Sequence, residues 1–352
     1  MNSNSLEAPI VRGFASDNYA GISPEALKAL HSCNQGHVVA YGEDPWTQKL
    51  KGLVQEIFET DCSFFVVFNG TSANSLALAH LCSPYETILC HEQSHLKVDE
   101  CGAPQFFSGG AGLTLVSGGN GKMNLDLLRE RIAERTDIHA QSPRVISLAQ
   151  VTECGTVYTL EELRRIQEIC RDHDLRFHMD GARFANALVS LEVTPAEMSW
   201  KVGVDVLSFG FTKNGVPMGD LVVFFDSQLA KGFEYRVKQG GQLASKSRFL
   251  AAPIFTILQT GEWIRNARHA NAMAALLEEK IRRLNGINFY HPRQANSLFL
   301  DLSSGVADRL HQKGWRFYHF GSSGYRLMTA WDHTEEDINR LMQDLVAVME
   351  VD

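Results

Sequence analysis

The sequence predicts an α/β protein with a large domain on a mainly parallel β-sheet and a smaller α+β C-terminal domain. Between residues 45 and 225, apolar strand segments alternate with helical segments. Strands that are apolar throughout and separated by helices are typical of a parallel sheet covered on both faces. After about residue 228, a long helical stretch leads to two further strand segments. We therefore expect an N-terminal arm over 1–30, a large domain over 31–255 and a small domain over 256–352.

Capping residues and hydrophobic spacing predict the individual elements. Ser23 and Pro24 mark a helix start, Asn124 caps another helix, and Thr159 with Glu162 forms a capping box. Further helices are predicted from apolar spacing at 50–58, 71–81, 305–313 and 334–350. Strands are predicted at 64–68, 87–90, 145–148, 175–179, 205–209 and 221–225, with 297–302 and 325–330 in the small domain.

Composition and charge exclude several classes of function. The 352 residues are 44% hydrophobic and 21% charged, which excludes a disordered chain. A net charge of −8 without a dense Lys/Arg run argues against nucleic acid, because that affinity rests on neutralising phosphates. No apolar stretch approaches the ~20 residues that span a membrane. The N-terminus lacks the apolar core of a signal peptide, and the seven cysteines include no C-x-x-C pair, so we expect a cytoplasmic enzyme.

Two motifs match known sites but lack the required context. The segment from His91 to His95 matches H-E-x-x-H, which binds zinc when both histidines lie one turn apart on a helix. Here His91 directly follows a predicted strand and no convincing third ligand follows, so we expect no metal. The glycine clusters at 108–112 and 118–122 match neither a dinucleotide fingerprint nor a phosphate loop, and we interpret them as turns.

One strand end has the chemistry of a phosphate site. The strand at 64–68 leads into a helix through Gly70, Thr71 and Ser72. The free amides and the dipole of a helix N-terminus favour a phosphate, and the two hydroxyls can add donors. Taken alone, the segment could equally be a capped helix that binds nothing.

Two other strand ends each carry an isolated charge. Asp180 closes an apolar strand, where a carboxylate is costly unless it is paired; alternatively, it caps the next helix. Lys213 follows another strand among apolar residues and glycines, where desolvation would let it form a Schiff base; alternatively, it is a surface lysine. A phosphate cradle, a strand-end Asp and a Lys 33 residues later form the layout that pyridoxal phosphate needs for its phosphate, ring nitrogen and aldehyde.

Eight segments then match one known family. They are FASDNYAGISPEAL, AYGEDPWT, FNGTSANSLAL, HEQSHLKVDECGAP, HMDGARFANA, FGFTKNG, KQGGQLASKSRFLAAP and KGWRFY. Nearly the whole chain resembles the low-specificity L-threonine aldolases, which are fold type I pyridoxal-phosphate enzymes of the β-eliminating lyase and threonine aldolase group. The order and spacing of DGAR and TKNG make this resemblance specific.

The resemblance implies a seven-stranded large sheet and a set of residues around the cofactor. It implies that Lys213 binds the cofactor's aldehyde and that Asp180 pairs with its pyridine nitrogen. Gly70, Thr71 and Ser72 would hold its phosphate. His95 would stack on the cofactor ring and act in proton transfer.

The resemblance also implies residues that bind substrate or reach a neighbouring subunit. Arg183 and Arg326 resemble the pair that grips the substrate carboxylate, a task that suits a bidentate guanidinium; for Arg326 the alternative is an exposed strand residue. Ser16 of the arm would reach the active site, and Tyr41 the site of a neighbouring subunit. Many relatives carry an arginine that reaches a neighbour's phosphate, and here Lys246 or Lys238 would replace it. Many also carry a histidine after the strand at 145–148, whereas the nearest residues here are Thr152 and Glu153.

The activity implied by the resemblance is retro-aldol cleavage of a β-hydroxy-α-amino acid, such as threonine, to glycine and an aldehyde. The expected assembly is a homo-oligomer, a tetramer built as a dimer of dimers. The alternatives are β-elimination or transamination with the same cofactor, a non-catalytic binding protein that keeps the fold, and a zinc hydrolase.

Overall fold

The computed structural model describes residues 13–134 and 137–349, and within these ranges the chain folds around two β-sheets. The strands, in chain order, are β1 (Ser63–Val67), β2 (Glu86–His91), β3 (Gly112–Val116), β4 (Ser142–Ala149), β5 (Arg176–Gly181), β6 (Val206–Phe209), β7 (Asp220–Phe224), β8 (Asn288–Phe289), β9 (Ser297–Asp301), β10 (Tyr318–His319) and β11 (Tyr325–Met328). The helices are α1 (Pro24–Cys33), α2 (Pro45–Phe58), α3 (Gly70–Leu81), α4 (His95–Val98), α5 (Ala103–Ser108), α6 (Leu125–Ala133), α7 (Leu160–Asp172), α8 (Phe184–Leu191), α9 (Phe233–Gln239), α10 (Arg248–Gln259), α11 (Glu262–Ile281), α12 (Ser304–Gln312) and α13 (Glu335–Met349).

The large sheet has seven strands in the order β1-β7-β6-β5-β4-β2-β3 and is mainly parallel, as predicted. Strands β3, β2, β4, β5 and β6 pair in parallel, whereas β7 runs antiparallel to both β6 and β1. Strand β1 therefore points the same way as the parallel strands. The carboxyl ends of β1, β2, β4, β5 and β6 lie at one edge of the sheet, together with the beginning of β7.

Apolar side chains cover this sheet on both faces. Along β2, Leu89 packs in one core cluster, whereas Ile88 and Cys90 pack in another. Side chains of successive strand residues point to opposite faces, so the two clusters lie on the two sides of the sheet. Fully apolar strands are therefore required in its centre, and this explains why the sequence pattern predicted them.

The small domain contains the four-stranded antiparallel sheet β10-β11-β9-β8. Its apolar core is continuous with the large domain through α11, which contributes Trp263 and Ala267 to the large core and Leu277 and Ile281 to the small one. The predicted division after residue 255 falls within α10 and stays a prediction.

The capping predictions are confirmed. Ser23 caps α1, Asn124 caps α6, and Thr159 forms a capping box with Glu162 at the start of α7. The long helical stretch predicted after residue 228 is divided into α9, α10 and α11, and Gly240 ends α9. Strand β3 was not predicted, because it begins at Gly112 inside a cluster interpreted as a turn. No helix among the described residues is both long and apolar enough to cross a bilayer.

The described part of the predicted arm is attached to the small domain. Phe14 packs in the small-domain core, and its carbonyl accepts a hydrogen bond of 2.8 Å from the amide of Met328 on β11. The short 3-10 turn Asp17–Tyr19 follows, capped by the Ser16 hydroxyl. The first twelve residues of the predicted arm lie outside the described residues.

Candidate active site

A polar cleft of about 230 Å3 lies at the edge where the parallel strands end. It brings together residues from the arm, from the segments that follow β1, β2, β5 and β6, and from the start of β7. The lining residues are Asn18, Asn69, Gly70, Thr71, His95, Ala182, Gly210, Thr212, Lys213 and Asp220. The strand ends identified from the sequence therefore meet at one site, as expected for ligand sites of parallel sheets.

The predicted phosphate segment opens α3 beside this cleft. Asn69 caps the helix, and its side-chain oxygen accepts hydrogen bonds of 2.9 Å from both the amide and the hydroxyl of Ser72. Gly70 and Thr71 line the cleft, and amides of the first helical turn have no acceptor within the helix. The structure thus places Gly70 and Thr71 at the cleft, whereas the Ser72 hydroxyl is engaged by Asn69.

Asp180 is the penultimate residue of β5 and is almost fully buried, with 8% of its surface exposed. One carboxylate oxygen accepts from the amide of Ala182 at 3.0 Å, and the other from the side-chain amide of Asn74 at 2.8 Å. The carboxylate does not cap α8, because the N-cap residue there is Arg183. The alternative of a helix-capping aspartate is therefore wrong.

Lys213 lies in the 3-10 turn Thr212–Asn214 between β6 and β7. Desolvation, reinforced by the positive charge of Arg183, holds the pKa of Lys213 below its usual range. The turn can approach β5 because residue 210 is glycine: a Cβ at Gly210 would lie 2.8 Å from the Cα of Ala182. Lys213 is thus the desolvated lysine that the sequence predicted, and not an exposed surface lysine.

Sequence reasoning missed Asp220, which holds the Lys213 turn in place. It begins β7, is buried, and accepts from the amide of Phe211 at 2.7 Å and from the amide of Thr212 at 3.4 Å. Burial raises the pKa of Asp220, although these amide hydrogen bonds act in the opposite direction. The available signal was an isolated aspartate directly before the apolar run of β7. Because β7 is antiparallel to β6, its beginning lies at the same sheet edge as the end of β5, where Asp180 stands.

His95 lines the cleft at the start of α4, and two carboxylates hold it. Its Nδ1 lies 2.8 Å from Oε1 of Glu100, and its backbone amide donates to Glu153 at 2.7 Å. The hydrogen bond to Glu100 raises the pKa of His95, although burial acts against it. Burial, followed by the charge of Asp180, raises the pKa of Glu153 to about 7. Glu153 therefore lies close to His95, in the segment where many relatives carry a histidine.

The two predicted substrate arginines have different partners. Arg183 forms a bidentate ion pair with Asp17 of the arm, with Nε–Oδ2 and Nη2–Oδ1 distances of 2.7 and 3.0 Å. Arg326 on β11 donates to the carbonyl of Ala15 at 3.0 Å, while its buried Nε contacts no acceptor in the described chain. Desolvation, followed by the charge of Arg183, lowers the pKa of Arg326 to about 10. Arg326 is thus a partly satisfied, half-buried cation and not an exposed strand residue.

Of the predicted residues, Ser72, Asp180, Arg183 and Arg326 lie beside the cleft without lining it, and Ser16, Tyr41, Lys238 and Lys246 do not line it either. The Ser16 hydroxyl accepts from the amide of Asn18, which itself lines the cleft. Tyr41 lines a different cavity, of about 440 Å3, and Nζ of Lys238 lies 5.4 Å from the centre of its ring. Lys246 is exposed in the segment that borders this second cavity. Within one chain, the fold does not bring Tyr41, Lys238 or Lys246 to the cleft.

The two histidines of the H-E-x-x-H motif are turned to different partners. His91 ends β2, as expected, and its Nε2 lies 3.2 Å from the carbonyl of Gly118, whereas His95 bonds Glu100. Among residues 13–134 and 137–349, no group of three or more His, Cys, Asp or Glu side chains could hold a metal ion.

The polar groups of the cleft fit pyridoxal phosphate, the cofactor that the sequence predicts. The first-turn amides of α3, at Gly70 and Thr71, suit a phosphate. The buried carboxylate of Asp180 suits a protonated ring nitrogen, and the desolvated amine of Lys213 suits an aldehyde. These three groups come from the ends of separate strands: Lys213 and the first turn of α3 line the cleft, and Asp180 binds the amide of Ala182 in its lining.

The fold and the site together define a fold type I protein: a large, mainly parallel seven-stranded sheet, a small antiparallel domain, and a polar cleft at the strand ends. The chain belongs to the β-eliminating lyase family, whose family model matches residues 13–304. It is 48% identical over 337 residues to the low specificity L-threonine aldolase of a Pseudomonas species, and 49% identical to that of Pseudomonas aeruginosa, covering 96% of this chain and 97% of each relative. A solved structure of Leishmania major threonine aldolase matches with a TM-score of 0.89 at 25% identity, over 95% of this chain and 98% of that one.

The Asp17–Arg183 pair generates a stability prediction. Burial alone would raise the pKa of Asp17. The charge of Arg183 and the hydrogen bonds from Arg183 and Asn296 outweigh burial, so the pKa of Asp17 lies below its usual 3.8. The pair therefore stabilises the fold at neutral pH, and this contribution disappears as the pH falls through the lowered pKa. Asp17→Asn should reduce the free energy of unfolding by about 3 kcal/mol at pH 7, because it leaves Arg183 buried without its anion.

Urea unfolding of the wild type and of Asp17→Asn between pH 7 and pH 3 measures this difference. Glu59→Gln is the control, because it breaks an exposed pair with Lys201 and should cost less than about 1 kcal/mol. Equal stability of the wild type and Asp17→Asn at pH 7 would show that the pair contributes nothing.

Proposed function

We propose that this protein is a pyridoxal-phosphate-dependent lyase that cleaves L-threonine, L-allo-threonine and related β-hydroxy-α-amino acids to glycine and an aldehyde. The observation that carries the proposal is that Lys213 and the first turn of α3 line one cleft, while the Asp180 carboxylate lies directly behind its wall, bound to the amide of the lining residue Ala182. The relatives that match nearly the whole chain are named low specificity L-threonine aldolases.

In this proposal, three groups of the chain hold the cofactor. The amides of Gly70 and Thr71 bind its phosphate, Asp180 keeps its ring nitrogen protonated, and the Lys213 amine binds its aldehyde. The bound cofactor supplies an electron sink for the electron pair left on Cα when the Cα–Cβ bond breaks. Asp180 suits its task because hydrogen bonds from Ala182 and Asn74 hold the carboxylate in place.

His95 is the residue that we propose for proton transfer at the β-hydroxyl. Its Nδ1 is bound to Glu100, so Nε2 is the nitrogen left to accept a proton from a substrate in the cleft when the ring is neutral. Removal of that proton allows the hydroxyl carbon to leave as an aldehyde. Arg326 lies on the small-domain side with a partly satisfied guanidinium, and we assign it to the substrate carboxylate.

Product analysis tests the reaction. The purified protein with pyridoxal phosphate should release equal amounts of glycine and acetaldehyde from both L-threonine and L-allo-threonine. The alternatives have different products: β-elimination releases ammonia and a 2-oxo acid, and transamination releases a 2-oxo acid and an aminated cofactor. Formation of either set in place of glycine would overturn the proposed reaction.

Lys213→Ala should reduce turnover to below about one thousandth of the wild-type rate while the fold stays intact, because no other amine lines the cleft in the described chain. Glycine release measures turnover, and far-ultraviolet circular dichroism checks the fold. Lys231→Ala, at an exposed surface position, is the matched control and should retain full activity. Borohydride reduction followed by peptide mapping should place the cofactor on residue 213; label on another lysine would contradict the assignment.

We propose further that the protein is a cytoplasmic homo-oligomer, a tetramer built as a dimer of dimers. All seven cysteines are unpaired thiols, which accords with a reducing compartment. Val39, Tyr41 and Leu243 are exposed apolar side chains near the 440 Å3 cavity. They belong to one surface region, because a hydrogen bond from the amide of Tyr41 to the carbonyl of Ser245 holds their two segments together. Such a region is typical of a subunit interface, and it would bring Tyr41 and Lys246 to a neighbouring subunit.

Leu243→Asp should dissociate the assembly and lower activity, because it places a charge in the proposed interface. Sedimentation velocity measures the assembly, and glycine release measures activity. Val346→Asp, on α13 of the small domain, is the control and should leave the assembly unchanged. A fully active wild-type monomer would refute the proposal.

A further inference from the structure

Hydrogen bonds join His95 to Asp180 through two buried side chains. Nδ1 of His95 lies 2.8 Å from Oε1 of Glu100. The side-chain amide of Asn74 donates to the same Glu100 oxygen at 2.8 Å and to Oδ2 of Asp180 at 2.8 Å. Glu100 and Asn74 are only 2% and 1% exposed, so the two linking groups are shielded from water.

Asn74 and Glu100 are polar side chains in buried positions, where apolar side chains would pack at a lower cost in free energy. Asn74 stands between Ala73 and Ser75 on α3, a helix buried on nearly all sides. Glu100 places a carboxylate in the interior, where its Oε2 contacts no donor in the described chain; Oδ1 of Asn74 is likewise buried without a partner. Buried polar atoms without partners cost stability, and an apolar pair of similar shape would avoid that cost. A functional gain has to offset this cost in stability, and His95 is the cleft residue that Glu100 contacts.

The donor and acceptor groups of the four side chains determine how their hydrogen bonds are oriented. Glu100 and Asp180 are acceptors when ionised, and the NH2 group of Asn74 has two hydrogens, one for each carboxylate. The NH2 group must therefore face both acids, and the carbonyl oxygen of Asn74 must face away. Oε1 of Glu100 then receives the Asn74 amide on one side and Nδ1–H of His95 on the other. The neutral His95 ring thus keeps its proton on Nδ1 and presents Nε2 to the cleft.

We propose that Glu100 and Asn74 are positioning residues, which set the tautomer and proton affinity of His95 and couple it to the carboxylate that binds the cofactor's ring nitrogen. The proposal rests on the proposed function for its catalytic meaning. A proton accepted at Nε2 forms an imidazolium paired with Glu100, and no further group is consumed. Asn74 shares one amide between both acids, so a change of charge at either end alters the hydrogen bond available to the other.

The charges around His95 determine the direction of the effect. Glu100 contacts its ring, and Asp180, Glu153 and Lys213 face it from the neighbouring segments. The hydrogen bond to Glu100 is the largest cause that raises the pKa of His95, with Asp180 adding to it and Lys213 opposing it. Burial raises the pKa of Glu100 as well. Both partners therefore hold a proton more readily than they would in water.

Glu100→Gln tests the proposal because it keeps the shape and removes the charge. We expect the pKa of His95 to fall by about one unit and the acidic limb of the kcat/KM–pH profile to move to lower pH by the same amount. Asn74→Ser should shift both in the opposite direction, because Glu100 loses a donor that stabilises its negative charge. Loss of packing alone would not give shifts of opposite sign.

The direct measurement is an NMR titration of the histidine rings in the holoenzyme and in the protein without cofactor. The His95 signal is assigned by its loss in His95→Asn. Glu92→Gln is the matched control in the same segment; its carboxylate binds the hydroxyl of Ser117, so the His95 titration should not change. If Glu100→Gln does not fold, Asn74→Ser and Glu100→Asp test the proposal instead. Glu100→Asp keeps the negative charge and should therefore keep the raised pKa of His95.

An unchanged His95 pKa in Glu100→Gln, or shifts of the same sign in Glu100→Gln and Asn74→Ser, would overturn the proposal. The titration needs no turnover. A protein that releases no glycine from threonine would therefore refute the proposed function, while the pKa of His95 would still test the role of Glu100 and Asn74.

Discussion

Charged groups buried at the carboxyl edge of the large sheet must be neutralised by one another, and this requirement determines the geometry around the cleft. An isolated charge in the interior costs several kcal/mol, so each one needs a partner or hydrogen bonds. Arg183 follows β5, Asp17 comes from the arm, and Lys213 lies after β6. The bidentate Arg183–Asp17 pair leaves Lys213 as a desolvated amine near a cation, which favours its neutral, nucleophilic form. Distant segments of the chain thus meet at one point because none could bury its charge alone.

The same ion pair connects the cleft to the small domain. Asp17 also accepts a hydrogen bond of 3.2 Å from Asn296, which precedes β9, and Phe14 packs in the small-domain core three residues earlier. Together with α11, which packs in both cores, the arm holds the two sheets in a fixed relation beside the cleft. The described part of the arm, from residue 13 onward, is therefore attached to both domains beside the cleft. The domain division expected from the sequence describes the two sheets but not this connection.

Sequence patterns predicted the parts of the structure that have a local cause. Apolar strands and helix caps are local, and so are Asp180 and Lys213, because each is an isolated charge at the end of an apolar strand. Strand β3 was missed because Gly112 and its neighbours have the composition of a turn. Asn74 was missed because its partners lie elsewhere in the chain: it precedes Glu100 by 26 residues and Asp180 by 106. Glu100 follows His95 by only five residues, but it stands next to Asp99, and nothing in that local pattern marks it as buried. The only local signal for Asn74 was an amide on the Ala- and Leu-rich helix α3, and such a signal identifies no partner.

The two arginines that the family resemblance assigns to the substrate carboxylate, Arg183 and Arg326, differ in how many of their hydrogen-bond donors are already used. Arg183 already uses Nε and one terminal nitrogen for Asp17, so much of its donor capacity is committed before substrate arrives. Arg326 is desolvated beside this cation and keeps a buried Nε without an acceptor in the described chain. We infer that a substrate carboxylate gains most from Arg326, because the new anion relieves both the repulsion and the unmet hydrogen bond. That carboxylate keeps its charge throughout the reaction, so the interaction contributes to affinity rather than to rate. In the proposed reaction, the rate depends instead on His95, which lines the cleft and takes up the β-hydroxyl proton as the Cα–Cβ bond breaks.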